Sequence, residues 1–182
     1  MLLLGVSGSL RRGSHNRKLV DAAAAGLPDS VTLHVFDGLA DIPPYSEDDS
    51  APAAVQRFRS AIAGADGLLF ATPEYNGSIP GQLKNALDWA SRPFPDNALR
   101  GRPAVVVGAS TGLFGAVWAQ AELRKVLRTA GAEVLDDELP VGMADSAFTP
   151  DGSLADPDQA AALARVVDRL LQRACPLVGA SS

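Results

Sequence analysis

Cysteine, histidine and long apolar runs are scarce in this chain, and each scarcity excludes a class of protein. The single cysteine, Cys175, excludes an intramolecular disulfide and a metal site built from thiolates. The two histidines, His15 and His34, have no neighbouring ligands in sequence, so we expect no bound metal. No apolar run approaches the ~20 residues of a membrane span. The first arginines follow the apolar start instead of preceding it, the reverse of a signal peptide, so we expect a cytoplasmic protein without a membrane partner.

An excess of positive charge is also absent. The chain has 16 basic and 21 acidic residues, for a formal net charge of -5. Its one basic cluster, Arg11 and Arg12, is too short to form a nucleic-acid patch, so we expect no nucleic-acid partner. A length of 182 residues is enough for one substantial core, and we expect a single domain over residues 1–182.

Short apolar runs alternate along the chain with segments of helical periodicity. The predicted strands are 2–6, 31–36, 67–71, 103–109 and 133–135, and the predicted helices are 14–27, a segment around 55–62, 82–90, 119–130 and a last helix from 156. Strictly alternating strands and helices with short connections predict an α/β fold, with a parallel sheet covered on both faces.

A polar loop follows the first predicted strand. Gly8 permits a tight turn, Ser9, Ser14 and Asn16 offer short polar side chains, and Arg11 adds a charged donor. The helix that begins near residue 14 supplies free N–H groups and the positive end of its dipole, which suits a phosphate group. The alternative is an ordinary helix cap with a polar approach.

A second unusual loop follows the third predicted strand. Pro73, Glu74, Tyr75 and Asn76 place an aromatic ring and an amide where a flat ligand ring can meet them. The alternative is a proline-and-glycine turn that carries an incidental tyrosine.

A third loop of small residues, 108–115, follows the fourth predicted strand. All three loops lie at the carboxyl edge of the predicted sheet, where open α/β folds bind ligands. The sequence contains neither the Gly-Lys-Ser/Thr of triphosphate loops nor the G-x-G-x-x-G of dinucleotide folds at this point. The pattern therefore favours a mononucleotide with a terminal phosphate.

Two motifs in these loops resemble those of the NADPH-dependent FMN reductase family. They are Ser-Gly-Ser-Leu-Arg-x-x-Ser-x-Asn-x-x-Leu at 7–19 and Pro-Glu-Tyr-Asn-x-Ser-x-Pro-Gly-x-Leu-Lys-Asn-Ala-Leu-Asp-Trp at 73–89. The resemblance extends from the first strand to the last helix. It implies a flavodoxin-like three-layer sandwich, with a five-stranded parallel sheet of order 2-1-3-4-5 and FMN across the strand ends.

The resemblance also assigns residues to the cofactor. It places Ser9, Arg11, Ser14 and Asn16 in the phosphate loop with Leu10 in its backbone, Pro73, Glu74, Tyr75 and Asn76 along the ribityl chain and the isoalloxazine ring, and Ser110, Thr111 and Gly112 at the ring edge. One departure is the pair Gly115-Ala116, where the family often has two glycines. We expect the extra methyl group to narrow access to the ring.

The activity implied by the resemblance is ping-pong transfer of hydride from NADPH or NADH to FMN, and then to an acceptor. The acceptor classes are quinones, azo compounds, metal oxyanions and flavins. FMN supplies the difficult chemistry, so we name no catalytic residue. The alternative function is a flavodoxin-like FMN-binding electron carrier without nicotinamide turnover.

The two tryptophans suggest self-association. Trp118 lies off the apolar face of its predicted helix, and Trp89 flanks the apolar face of its own. The corresponding helices of similar reductases form a two-fold dimer, and tryptophan is favoured at interfaces. We therefore expect a homodimer or homotetramer that involves the helices of Trp89 and Trp118.

Overall fold

The computed structural model describes residues 1–175 and contains a parallel sheet with helices on both faces. The strands are β1 (Leu2–Ser7), β2 (Thr32–Val35), β3 (Gly67–Thr72), β4 (Pro103–Ala109), β5 (Glu133–Val134) and β6 (Pro140–Val141), and the helices are α1 (His15–Ala25), α2 (Ala53–Gly64), α3 (Gly81–Ala90), α4 (Val117–Thr129) and α5 (Pro157–Ala174). The main sheet order is β2-β1-β3-β4-β5. The predicted flavodoxin-like order is therefore confirmed.

The two central strands explain why the apolar runs were readable in the sequence. Every residue of β3 and β4 is buried, because helices cover both faces of the sheet. One apolar layer joins the sheet to α2, α3 and α4, and the other joins it to α1 and α5. Each helix contributes one apolar stripe to these layers, such as Val55, Phe58 and Ile62 of α2.

The edge strand differs from the prediction, because it is divided into two short segments. β5 pairs with the start of β4, and β6 pairs with its end at Gly108 and Ala109. Three consecutive acidic residues separate the segments and form ion pairs with arginines of the flanking helices: Asp136 with Arg128, Asp137 with Arg169, and Glu138 with Arg124. β6 thereby comes to lie beside the third loop.

The long segment between β2 and α2 is fastened to α3. Gln82 donates to two carbonyl groups of this segment, and Asn85 donates to the carbonyl of Pro43 at 2.8 Å. The indole N–H of Trp89 donates to the same carbonyl at 2.9 Å, and the ring of Tyr45 packs edge-on against the indole. Trp89 is consequently 2% exposed, so its side chain is not available to an interface, while the prediction that α3 takes part in one remains untested.

Among residues 1–175, no helix combines the length and the apolar character that crossing a bilayer requires.

Candidate active site

Three loops meet in one cleft at the carboxyl edge of the sheet. The loops follow β1, β3 and β4, as the sequence predicted. The cleft is lined by Ser9, Arg11, His15, Asn16, Pro73, Glu74, Tyr75, Ala109, Ser110 and Thr111. The other candidate residues, Leu10, Ser14, Asn76 and Gly112, belong to the same loops but do not line it. The fold therefore brings the three sequence motifs into one place.

The first loop leads directly into the N-terminus of α1. Ser14 is the N-cap, and its hydroxyl accepts a hydrogen bond from the amide of Arg17 at 3.1 Å. The amide of Lys18 donates to the Ser14 carbonyl. A helix cannot satisfy its first amides internally, so those of His15 and Asn16 remain available to an anion, in addition to the helix dipole. Ser14 thus caps the helix, and its predicted contact with phosphate stays a prediction.

Arg11 is the arginine that lines the cleft. Its guanidinium donates to the Gly13 carbonyl at 3.0 Å, and its backbone amide lies 3.4 Å from the Ser9 hydroxyl. Arg17, one turn into α1, is instead paired with Asp21 at 2.9 Å and with Asp37 at 2.7 Å. The hydrogen bond that Arg17 donates to Asp21 raises the pKa of Arg17, and the charges of both carboxylates act in the same direction. The positive charge of Arg17 is therefore paired with Asp21 and Asp37, and Arg11 provides the positive charge at this end of the cleft.

Asn16 joins the first loop to the third. Its side-chain amide donates to the Ala109 carbonyl and accepts from the Ala109 amide, both at 2.9 Å. β3 pairs with β4 only as far as Gly108, so Ala109 lies one residue beyond the end of that ladder. β3 has no residue opposite Ala109, and the side-chain amide of Asn16 forms the backbone hydrogen bonds that such a residue would form. This buried side chain is a structural brace, and the prediction that it contacts phosphate remains untested.

The second loop is a tight hairpin turn. The backbones of Tyr75 and Ser78 exchange two hydrogen bonds of 2.9 and 3.1 Å. Asn76 and Gly77 between them have φ angles of 53° and 77°, which define a type I′ turn. Asn-Gly is the preferred pair for this turn, a signal that the sequence analysis overlooked. Asn76 forms the turn, while the half-exposed Tyr75 lines the cleft.

Glu74 links the second loop to α4. One carboxylate oxygen accepts a hydrogen bond from the amide of Ala119 at 3.2 Å, in the first turn of that helix. The N-cap residue itself, Ala116, has no side chain that can perform this task. A carboxylate at a helix N-terminus contributes roughly 0.3–1 kcal/mol through the dipole. Glu74 therefore caps a helix more than forty residues further along the chain.

The third loop is held by close backbone packing against the segment after β6. The amides of Met143 and Ala144 donate to the carbonyls of Gly112 and Ser110, each at 3.0 Å. A Cβ atom on Gly142 would lie 2.2 Å from the Leu113 carbonyl oxygen, and one on Gly115 would lie 2.5 Å from the backbone of Val141. Side chains at these two positions are thus excluded, which keeps the loop close to its support.

Ala116 does not occupy the cleft. It adopts a left-handed conformation with φ 61° and is 2% exposed, with its methyl group in the core beside α4. It is absent from the residues that line the cleft. The expectation that this methyl group narrows access to the cleft is therefore wrong. Its cost is local backbone strain of roughly 1 kcal/mol.

His15 lines the cleft, although the sequence analysis considered it only as a metal ligand. Its Nε2 atom lies 3.1 Å from a carboxylate oxygen of Asp145, which belongs to the segment after β6. Its ring is stacked on Phe148. The available signal was a histidine at the first position of the helix that follows the predicted phosphate loop.

The chain is similar over most of its length to known oxidoreductases. The sequence pattern of the NADPH-dependent FMN reductase family matches residues 1–146. An NAD(P)H-dependent FMN reductase of Pseudomonas aeruginosa is 46% identical over 158 residues, which cover 85% of this chain and 84% of that protein. A quinone reductase of Pseudomonas putida is 39% identical over 155 residues, with 83% of each chain covered.

A solved structure is similar to this chain in both fold and sequence. FerB, a flavoenzyme NAD(P)H:(acceptor) oxidoreductase of Paracoccus denitrificans, superimposes with a TM-score of 0.83 and is 35% identical. The match covers 95% of this chain and 96% of that protein.

The brace at Asn16 makes a prediction about stability. We expect Asn16→Ala to lower the free energy of unfolding by about 2–4 kcal/mol, because two buried backbone groups of Ala109 lose their partners. Urea denaturation of the protein without added ligand measures this loss. Ser9→Ala is the control. Ser9 lines the same cleft, but its hydroxyl accepts one long hydrogen bond, of 3.4 Å, from the amide of Arg11, so its removal should cost little stability. Equal stability of the two variants would contradict the brace.

Proposed function

The chain belongs to the NADPH-dependent FMN reductase family, and we propose that it carries electrons from NADPH or NADH to a small-molecule acceptor through FMN bound in the three-loop cleft. The observation that carries the proposal is the convergence of the loops after β1, β3 and β4 on one cleft. Flavodoxin-like sheets bind their mononucleotide at this edge. A cytoplasmic location, where both nicotinamides are available, is part of the proposal.

The residues of the first loop fit the phosphate of FMN. A phosphate monoester carries up to two negative charges and accepts several hydrogen bonds. The Ser9 hydroxyl, the Arg11 guanidinium and the open amides at the start of α1 are donors of the right kind. Arg11 and the helix dipole also supply positive charge in a chain that is otherwise acidic.

The other two loops fit a flat ring. Tyr75 offers an aromatic face, and Ser110 and Thr111 offer polar groups to a ring edge. When bound, FMN accepts hydride from the nicotinamide and passes electrons to the acceptor. The third loop is fixed by its packing against the segment after β6, so its polar groups keep their positions without reorganisation during the reaction.

Exposed apolar side chains narrow the acceptor class. Leu10, Tyr75 and Met143 are each at least half exposed, and they lie on the first loop, the second loop and the segment after β6, respectively. Such a surface favours a flat, weakly charged molecule over a metal oxyanion, which would need several cations. We therefore propose quinones as the acceptors, with flavins and azo compounds as further members of the same flat class.

Anaerobic mixing tests this function. We expect the FMN-loaded protein to lose its flavin absorbance near ~450 nm with NADPH or NADH, and to regain it when a quinone is added. A stopped-flow spectrophotometer records both steps, with free FMN at the same concentration as the control. Failure of both nicotinamides to bleach the flavin would instead support the electron-carrier function.

Arg11 provides a test of the orientation of FMN. We expect Arg11→Ala to weaken FMN binding roughly tenfold, the loss of one charge-assisted hydrogen bond at a solvent-accessible site. Equilibrium titration followed by flavin fluorescence measures the dissociation constant. Arg12→Ala removes the same charge from the neighbouring exposed residue, which does not line the cleft, and should change binding less than about twofold. Equal losses in the two variants would contradict a direct phosphate contact.

Self-association through α4 is a second part of the proposal. Trp118 is 55% exposed, and its indole packs edge-on against the exposed ring of Phe114. Leu113 is exposed beside them in sequence. An aromatic patch of this kind is typical of a protein interface, and a second copy of the chain is the partner that we propose, as a homodimer or homotetramer.

Substitution of the patch tests this association. We expect Trp118→Lys to weaken self-association at least roughly tenfold, because tryptophan is among the residues that contribute most at interfaces. Analytical ultracentrifugation across a concentration series measures the effect. Gln172→Lys places the same charge at an exposed position of α5, on the opposite face of the sheet, and should leave association unchanged. An unchanged sedimentation profile for Trp118→Lys would place the interface elsewhere.

A further inference from the structure

His15 joins the anion-binding end of the cleft to the segment that supports the third loop. Its ring stacks on Phe148 with 6.1 Å between ring centroids and 10° between planes. The ammonium of Lys18, one turn further along α1, lies 5.5 Å from the centre of the same Phe148 ring. The Nε2 atom of His15 pairs with Asp145. The imidazole therefore has a fixed position in the wall of the cleft.

The two ring nitrogens of His15 are in unequal surroundings. Nε2 has a carboxylate partner, whereas Nδ1 is buried and has no hydrogen-bond partner within residues 1–175. An imidazolium ring carries an N–H group on both nitrogens. Protonation of His15 consequently adds a second buried donor, for which no group within residues 1–175 serves as the acceptor.

A phosphate bound in the cleft adds negative charge close to this ring. Ser9, Arg11 and the first turn of α1, which are the groups proposed to hold the phosphate, line the same cleft as His15. Two negative charges at that point favour the protonated ring. Protonation also changes the net charge of the His15–Asp145 pair from -1 to 0, which removes repulsion between Asp145 and the phosphate.

We propose that FMN binding is coupled to protonation of His15, so that the protein takes up a proton from solvent when the phosphate enters the cleft. This inference rests on the proposed function, because it requires FMN in the cleft. Histidine is the side chain that ordinarily changes charge between pH 5 and 8, so the coupling acts near neutral pH. FMN affinity through His15 is full at the acidic end of this range and is lost as the pH rises.

Four other charged groups surround His15. They are Asp145 on the segment after β6, Arg11 on the first loop, Glu74 on the second loop and Lys18 beyond Phe148. The phosphate of FMN itself changes charge in this range, because a phosphate monoester loses its second proton near about pH 6. That ionisation strengthens binding as the pH rises, which is the opposite direction. A variant without His15 is therefore needed to separate the two effects.

The test compares His15→Gln with the unchanged protein at pH 6 and pH 8. Glutamine keeps polar donor and acceptor groups but cannot take up a proton. We expect FMN to bind the variant roughly tenfold more weakly at pH 6, and less than about threefold more weakly at pH 8. Flavin fluorescence titration gives the dissociation constants, and a pH indicator in weak buffer at pH 7 records proton uptake that the variant lacks.

Riboflavin serves as the matched ligand, since it has the same ring and no phosphate. We expect it to bind both proteins equally at both pH values, which also shows that the variant is folded. A ratio of FMN affinities that is the same at pH 6 and pH 8 would overturn the coupling, as would a riboflavin ratio that changes with pH like that of FMN. If FMN failed to bind the unchanged protein at either pH, the proposed function itself would be wrong.

Discussion

The pair of hydrogen bonds between the Asn16 side chain and the Ala109 backbone fixes the geometry on which the whole site depends. They connect residues 93 positions apart in the chain, at the point where β4 extends beyond the end of β3. One end of this link is the first turn of α1, and the other is the start of the third loop. A cofactor that spans both loops needs a constant distance between them, and two buried hydrogen bonds set that distance at a net stabilisation of about 1 kcal/mol each.

The fold was predictable because its determinants are local. Apolar runs such as 67–71 and 103–109 identify strands buried on both faces, and the strict alternation with helices leaves few arrangements of a parallel sheet. The divided edge strand was not predictable in the same way. The three acidic residues between its segments pair with arginines of two helices, and no local pattern shows which arginine meets which carboxylate.

The location of the site was predictable from the sequence, but the structural role of each of its residues was less so. Strand ends and loop composition located all three loops, and most of their candidate residues line the cleft. The roles of Asn16 and Glu74 depend on contacts with Ala109 and Ala119, which are distant in sequence. Asn76 is a different case, because the Asn-Gly turn signal was present and was overlooked in favour of the motif that contains it. Several polar residues of these loops therefore build the loop itself, and their predicted contacts with FMN stay predictions.

The distribution of these structural roles determines where an anion can bind. Both α1 and α4 present an N-terminus near the cleft, and each carries the partial positive charge of its helix dipole. Glu74 occupies the N-terminus of α4 with a carboxylate, so that end is already neutralised. The N-terminus of α1 is capped by the uncharged Ser14 and lies beside Arg11. This difference supports the proposal that the phosphate binds at α1 and the uncharged ring at the second and third loops, because the carboxylate of Glu74 already occupies the N-terminus of α4.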